Sequence, residues 1–174
     1  NRILCAAAVI DRGGERSEHS FRGEEGDIME GLTKLVRSED PDFITGYNID
    51  NFDLPRMAER MDVLSGRSKM DGAALYGWSR VPILQSESNR LFPDRQQNRV
   101  WRIPGRIPLD AWWQVRQTLR PERESLRYVS KLLWPEDEDM HKLDIDASQM
   151  DREWKERPDE VLEYCVRDTI LPLD

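Results

Sequence analysis

Two short segments of the sequence carry residue types and spacings that suit metal or phosphate chemistry. In the first segment, Asn48, Asn51 and Asp53 lie where an apolar run ends and an amphipathic stretch begins. In the second, Tyr164 and Asp168 are four residues apart, so they share one face if the segment is helical. A phenol and a carboxylate that face one cleft can orient a water molecule and hold a metal ion. Both segments are therefore candidate sites.

Each segment also has a purely structural interpretation. Asp and Asn side chains routinely cap the start of a helix, so the cluster that ends at Asp53 can be a cap. Tyr164 can pack at a helix edge beside a solvated Asp168. Against this, ligands in α/β proteins collect beyond the carboxyl ends of strands. At that position we expect Asp53 to point outward and Phe52 to pack inward, but spacing alone decides neither case.

The elements predicted around these segments are of both types. Apolar and extended patterns predict strands over residues 3–10, 17–21, 43–49, 99–103 and 106–109, with a glycine-containing turn over 11–16. Helical spacing predicts helices from Asp27 to before Pro41 and over residues 54–64, 110–119, 124–134, 147–156 and 159–169. Residues 65–98 carry weaker patterns. The sequence predicts a mixed α/β fold for one domain over residues 1–174.

Composition leaves the function open. The formal net charge of −8 argues against a protein that grips nucleic acid over its whole surface, although acidic residues can also hold divalent metals. No apolar run approaches the roughly 20 residues that a membrane helix needs, so we expect no membrane partner. Cys5 and Cys165 are expected to be buried free thiols.

The two candidate segments resemble known exonuclease motifs. ITGYNIDNFDLP is similar to the second exonuclease motif of family B DNA polymerases, and EYCVRDTILPL is similar to their third motif. Between them, GRIPLDAWWQVRQTL and SLRYVSKLLW resemble the intervening segments of these domains, in the same order. The resemblance runs from about Asn1 to Asp174. It implies a ribonuclease-H-like fold, a mixed sheet flanked by helices, within a DNA polymerase whose 3′–5′ exonuclease proofreads.

The resemblance assigns catalytic roles to three residues. It implies that Asp53 and Asp168 are ligands of two divalent metal ions, and that Tyr164 hydrogen-bonds the attacking water or the scissile phosphate. Two such ions activate the water and stabilise the leaving 3′ oxygen. Mg²⁺ suits an all-oxygen ligand set, and Mn²⁺ is a substitute.

The resemblance also implies contacts with the 3′ end of single-stranded DNA. Asn48 and Asn51 would contact the terminal nucleotide or brace the loop, and Phe52 would stack on or buttress the unpaired base. Lys142 falls where related exonucleases place a lysine that neutralises phosphate, and it can equally be a solvated lysine.

Three further residues between the motifs have structural interpretations. Asp110 is expected to cap its helix rather than to bind metal. Trp112 and Trp113 are expected to pack in the core and at its edge.

One part of the family pattern is absent from this sequence. The first motif, an Asp-x-Glu at the end of the opening strand, is expected before Asn1. We therefore expect an N-terminally truncated piece of a polymerase, with the remaining polymerase domains as partners and with negligible nuclease activity of its own. The missing strand is a central one in this fold, so we expect self-association, a repositioned strand or a ligand to cover the unpaired edge.

Three alternatives remain at this point. One is a catalytically silent relative that binds nucleic acid or has a structural role. Another is a free-standing ribonuclease-H-like nuclease, and the third is an unrelated scaffold protein whose motif matches are accidental. The location would be the nucleoid of a prokaryote or the nucleus of a eukaryote.

Overall fold

The computed structural model describes residues 2–67, 77–80, 94–96, 100–137 and 145–174. They belong to two compact units. The first unit comprises Asn1–Leu4, Phe21–Ile44 and Ile49–Leu109, and the second comprises Cys5–Ser20, Thr45–Asn48 and Asp110–Asp174. Helices and short strands occur in both, so the predicted α/β class is confirmed. That residues 1–174 form one domain stays a prediction.

Within residues 2–67, the structure has three strands and two long helices. The strands are β1 (Cys5–Arg12), β2 (Glu15–Arg22) and β3 (Phe43–Gly46), and the helices are α1 (Glu25–Glu39) and α2 (Asp53–Arg67). The turn between β1 and β2 contains Gly13 and Gly14, both with positive φ, which glycine adopts without steric cost. This is the turn that the paired glycines predict.

The second half contains shorter elements. The strands are β4 (Asp94–Gln96), β5 (Val100–Arg102) and β6 (Ile107–Asp110). The helices are α3 (Ala111–Thr118), α4 (Leu126–Leu133), α5 (Met150–Glu156) and α6 (Pro158–Ile170), with single 3-10 turns at Ala147–Gln149 and Leu171–Leu173. Pro158 lies in the first turn of α6, where a missing N–H costs nothing.

The strands of the described residues form three two-stranded sheets. These are β1 with β2, β3 with β6, and β4 with β5. The β4–β5 pair is antiparallel, with Arg95 opposite Trp101. Across the β3–β6 pair, the N–H of Ile107 donates to the carbonyl of Asp42 at 2.8 Å. The described strands thus confirm small sheets combined with helices, whereas a single mixed sheet of ribonuclease-H type stays a prediction.

Helices α1 and α2 supply much of the core of the first unit. Buried side chains from α1 include Ile28, Met29 and Leu32, and α2 contributes Leu54 and Met61. The helical spacing of apolar residues in α1 predicts this buried face.

A buried arginine holds the end of α1. Arg106, whose side chain is 3% exposed, lies 2.9 Å from the Asp40 carboxylate. It also donates to the carbonyls of Trp78 at 2.6 Å, Pro41 at 2.6 Å and Val36 at 3.4 Å. One of these carbonyls, that of Val36, lies in the last turn of α1 and also accepts from the N–H of the helix-capping Asp40 at 3.2 Å. Arg106 therefore stabilises the helix end just before β3.

In the second unit, α6 packs against β1. The thiols of Cys5 and Cys165 lie 3.4 Å apart at this contact. Neither cysteine forms a disulfide, and both are half-buried rather than buried as predicted. The hydrogen bond from Cys165 lowers the pKa of the Cys5 thiol, and burial acts in the opposite direction.

Helix α3 departs from its predicted packing. It contains no buried residue, Trp112 is half-buried and Trp113 is 39% exposed. The pair was predicted to pack in the core and at its edge; the core position is therefore wrong, whereas a position at the edge is compatible with these exposures. The two rings contact each other instead, with centroids 4.7 Å apart.

No helix in the part of the chain that the structure describes is long and apolar enough to cross a membrane.

Candidate active site

The first candidate segment forms a tight turn between β3 and α2. The predicted strand over residues 43–49 is three residues too long, because β3 ends at Gly46. Asn48 adopts φ of +63°, a left-handed conformation that does not belong to a strand and that Asn tolerates better than most residues. The chain therefore leaves the strand direction just before the residues that were predicted to do chemistry.

Two contacts hold the part of this turn that lies in the first unit. The carbonyl of Ile49 accepts from the N–H of Leu54 at 3.0 Å. The carbonyl of Asp50 accepts from the indole N–H of Trp101 at 2.9 Å. Ile49 and Leu54 are buried, so they anchor the turn on both sides.

Asn51, Phe52 and Asp53 are exposed between these anchors. Asp53 points outward, as predicted. Phe52 is 64% exposed, so the prediction that it packs inward is wrong. Leu54 occupies the inward position instead, because Phe52 lies in the turn before α2 begins, where strand alternation no longer applies.

Asp53 is the first residue of α2. The N-terminus of a helix favours a negative charge, so this position suits a helix-stabilising carboxylate as well as a ligand carboxylate. Asp53 takes part in interactions within the structure. The capping interpretation of this cluster therefore stands beside the catalytic one.

An ion pair fixes α2 against α1. Arg60 donates to both carboxylate oxygens of Glu25, at 2.7 and 2.6 Å, and the N–H of Ile3 donates to the same carboxylate at 2.7 Å. The hydrogen bond from Arg60 is the main reason that the pKa of Glu25 is lowered, and burial acts in the opposite direction. These contacts hold α2, the helix that begins with Asp53, against α1.

In the second unit, Asp110 organises the segment that contains Asn48. Its Oδ1 accepts from the N–H of Trp112 at 3.0 Å, which confirms the predicted helix cap. The same oxygen accepts from the N–H of Asn48 at 2.7 Å. Sequence reasoning missed this second contact. The only local signal for it was an asparagine after a strand, a residue type that favours left-handed backbone.

Tyr47 was also missed from the sequence. Its hydroxyl donates to the carbonyl of Glu124. Burial, with smaller contributions from Glu124 and Asp110, raises its pKa to about 12. Tyr47 therefore stays protonated at neutral pH and acts as a donor that positions the turn.

Tyr164 and Asp168 lie one turn apart on α6. They share a helix face, as their spacing predicts. Tyr164 is 7% exposed, and Asp168 is half-buried with its Oδ1 atom buried. Both residues take part in interactions within the structure. The alternative that Tyr164 packs at a helix edge is therefore wrong, since the side chain is buried, whereas the partial exposure of Asp168 does not decide between a structural and a catalytic role.

The predicted residues are distributed between the two units. Asn51, Phe52 and Asp53 lie in the first, whereas Asn48, Tyr164 and Asp168 lie in the second. Lys142 lies outside the described residues.

The donor types at these positions fit a hard divalent cation. Asp53 and Asp168 supply carboxylate oxygens, which Mg²⁺ and Mn²⁺ prefer. Within the described ranges there is no group of three or more His, Cys, Asp or Glu side chains that could hold a metal ion. The two aspartates are thus of the ligand type that such ions prefer, and that they bind a metal ion stays a prediction.

Known proteins with similar sequences are polymerase subunits. The sequence profile of "DNA polymerase family B, exonuclease domain" matches residues 20–129. The chain is 32% identical over 155 residues to the DNA polymerase delta catalytic subunit of Caenorhabditis elegans, covering 84% of this chain and 13% of that protein. It is 30% identical over 159 residues to the subunit of that name from Bos taurus, covering 88% of this chain and 14% of that protein.

A solved structure has a similar fold. The family B DNA polymerase from the hyperthermophilic archaeon Pyrobaculum calidifontis matches with a TM-score of 0.64 at 22% identity, over 90% of this chain and 19% of that one. At this identity the likeness concerns the fold. The chain spans 13–14% of the length of the two curated relatives above.

Proposed function

This chain belongs to the exonuclease-domain family of the family B DNA polymerases, and from this premise we propose that it forms the 3′–5′ proofreading exonuclease domain of such a polymerase. The observation that carries the proposal is the match of the family profile over residues 20–129. The matched residues include the turn that exposes Asn51, Phe52 and Asp53. The substrate is the 3′ end of single-stranded DNA.

In this proposal, Asp53 and Asp168 are carboxylate ligands of divalent metal ions. The ions, when bound, supply the Lewis acidity for phosphodiester hydrolysis. Tyr164 orients the water or the scissile phosphate. What supports these roles is the donor type, the outward position of Asp53 and the shared face of Tyr164 and Asp168 on α6.

The substrate contacts form the second part of the proposal. Asn48 and Asn51 position the terminal nucleotide, and the exposed ring of Phe52 stacks on its base. A phosphate contact by Lys142 stays a prediction. The other domains of a polymerase are the partners that we propose, and the eukaryotic origin of the relatives favours a nuclear location. Self-association stays a prediction outside this proposal.

The metal ligands can be tested with Mn²⁺, whose paramagnetism detects weak binding. In a ¹⁵N-resolved NMR titration of the 174-residue chain, we expect line broadening around residue 53 and around residue 168. Asp53→Ala and Asp168→Ala should each abolish the broadening around the substituted residue.

The chain offers a matched control for each variant. Asp27 is an exposed first-turn aspartate of α1, as Asp53 is of α2, and Asp159 is an exposed aspartate of α6, the helix of Asp168. Asp27→Ala and Asp159→Ala should leave both broadened regions unchanged. Broadening that survives the Asp53 and Asp168 variants, or that is centred on the controls, would refute the proposed ligand set.

A catalytically silent relative is the second candidate function. The absence of a three-ligand group within the described ranges favours it, and the charge of −8 is compatible with it. It predicts no site-specific Mn²⁺ broadening at either aspartate, so the same titration separates the two candidates.

A further inference from the structure

One segment of the second unit differs in charge from the rest of the chain. Residues 111–131 carry five basic and two acidic side chains, a net charge of +3, whereas the whole chain carries −8. The basic residues, which are spaced three or four apart, are Arg116, Arg120, Arg123, Arg127 and Lys131. All five side chains are exposed, and a local excess of positive charge on an acidic protein can attract phosphate groups.

The same segment presents aromatic rings together with a guanidinium group. The guanidinium carbon of Arg116 lies 4.8 Å from the ring centroid of Trp112 and 5.6 Å from that of Trp113. This is within the range of a cation–π interaction, which holds the guanidinium against the rings. Trp113 is 39% exposed and Arg116 is also exposed. We name this trio, Trp112, Trp113 and Arg116, the Trp–Arg platform.

Contacts within the second unit attach the platform to a candidate site segment. Asp110 accepts from the N–H groups of both Trp112 and Asn48, so the platform begins two residues after the anchor of Asn48. Arg116 also forms an ion pair with Glu124 at 2.9 Å, and the Glu124 carbonyl accepts from the hydroxyl of Tyr47. The platform is thus fixed at two points to the turn that follows β3.

We propose that the Trp–Arg platform binds single-stranded DNA, with an unpaired base stacked on Trp113 and with phosphates neutralised by Arg116 and the basic residues that follow it. This proposal rests on the proposed function, because it takes DNA as the partner. Stacking on an exposed indole is available only to unpaired bases, and it tolerates any base because each has a π-face. The positive charge of the segment complements the phosphate backbone.

Binding of a 5′-fluorescein-labelled oligothymidylate, measured by anisotropy in EDTA, tests the platform. Trp113→Ala should weaken the affinity by about tenfold, the size expected for the loss of one stacked base, while Trp113→Phe keeps a ring and should retain most of the affinity. Arg116→Gln should reduce the slope of log affinity against log salt by about 0.7, the contribution of one phosphate contact on a single strand.

Two variants outside the segment serve as matched controls. Phe43→Ala removes an exposed aromatic ring, and Lys34→Gln removes an exposed positive charge, both in the first unit. Neither should change the affinity or the salt slope. Because Trp113 is exposed, Trp113→Ala should keep the far-ultraviolet circular dichroism of the wild type, and Trp113→Phe provides the second variant if it does not.

Three results would overturn the proposal. They are an unchanged affinity of Trp113→Ala, a tighter binding of duplex than of single-stranded DNA, and a stronger binding of a polyaspartate peptide through the same residues. The last result would identify a docking surface for an acidic protein. Since EDTA removes metal ions, the assay does not depend on Asp53 or Asp168. Failure of the Mn²⁺ titration with normal oligothymidylate binding would refute the metal ligands alone.

Discussion

In the first unit, the candidate residues at the start of α2 are exposed; they are Asn51, Phe52 and Asp53. Two other residues, the buried Ile49 and Leu54, hold this turn in place. In the second unit, Tyr164 is itself buried on α6, the helix that packs against β1. One unit thus separates its candidate residues from its core, whereas the other builds a candidate residue into its core.

This difference has a consequence for mutational analysis. An exposed residue contributes little to folding, so a change of activity on its substitution reports on substrate or metal. A buried aromatic residue contributes to packing, so its removal lowers stability whatever its catalytic role. Loss of activity therefore has a different meaning in the two segments, and stability has to be measured alongside it.

The largest effect is expected at Tyr164. Tyr164→Ala should lower the free energy of unfolding by about 3–5 kcal/mol, because a buried aromatic side chain loses its packing and leaves a cavity. Urea denaturation followed by circular dichroism measures this loss. Tyr164→Phe keeps the ring and should cost about 1 kcal/mol or less, because only the hydroxyl is lost.

The pair of substitutions at Tyr164 separates packing from chemistry. If Tyr164→Phe destabilises as much as Tyr164→Ala, the hydroxyl rather than the ring holds α6, and the contrast between the two units loses its basis. If Tyr164→Phe is stable instead, it is the variant in which the role of the hydroxyl in hydrolysis should be measured.

A smaller effect on stability is expected at Glu25, whose ion pair with Arg60 holds the helix that begins with Asp53. Glu25→Gln keeps the shape of the side chain and one acceptor for Arg60, and it removes the charge of the ion pair. Because Arg60 lowers the pKa of Glu25, the native state favours the ionised carboxyl. The pair therefore stabilises the protein fully above the ordinary pKa of 4.5, and its contribution is lost as the pH falls through the lowered native pKa.

Unfolding of the wild type and of Glu25→Gln between pH 7 and pH 2 tests this expectation. The difference in stability should be constant at neutral pH and should disappear in acid. Glu30→Gln is the matched control, because Glu30 lies on the same helix and pairs with the exposed Lys34, where an ion pair contributes little. A stability difference that does not change with pH would contradict the assigned role of Glu25.

The sequence predicted those parts of the fold that local pattern determines. The limits of α6 were predicted within one residue at each end, because Pro158 and the apolar spacing are local signals. The shared face of Tyr164 and Asp168 followed from their spacing alone. The cap by Asp110 was predicted because an aspartate before a helix start is a local signal as well.

The errors arose where distant residues decide the structure. The end of β3 depends on the left-handed Asn48, whose N–H is held by Asp110, 62 residues later. Tyr164 is buried on α6, which packs against β1. The two cysteines at this contact, Cys5 and Cys165, are 160 residues apart in the sequence. The tryptophans of α3 were predicted to pack in the core and at its edge because aromatic pairs on helices usually do, whereas no residue of that helix is buried. No local pattern contains such information.

The smallest effect on stability is expected at Phe52, and it tests the other half of the contrast. Phe52→Ala should change the free energy of unfolding by no more than about 0.5 kcal/mol, because its ring is 64% exposed. Leu54→Ala, two residues later and 1% exposed, is the matched control and should cost about 2–4 kcal/mol. Urea denaturation of both variants measures the difference.

If Phe52→Ala were as destabilising as Leu54→Ala, the ring would belong to the core after all. If Phe52→Ala is neutral, any loss of affinity for a single-stranded 3′ end in this variant can be attributed to the missing stacking surface rather than to a disturbed turn.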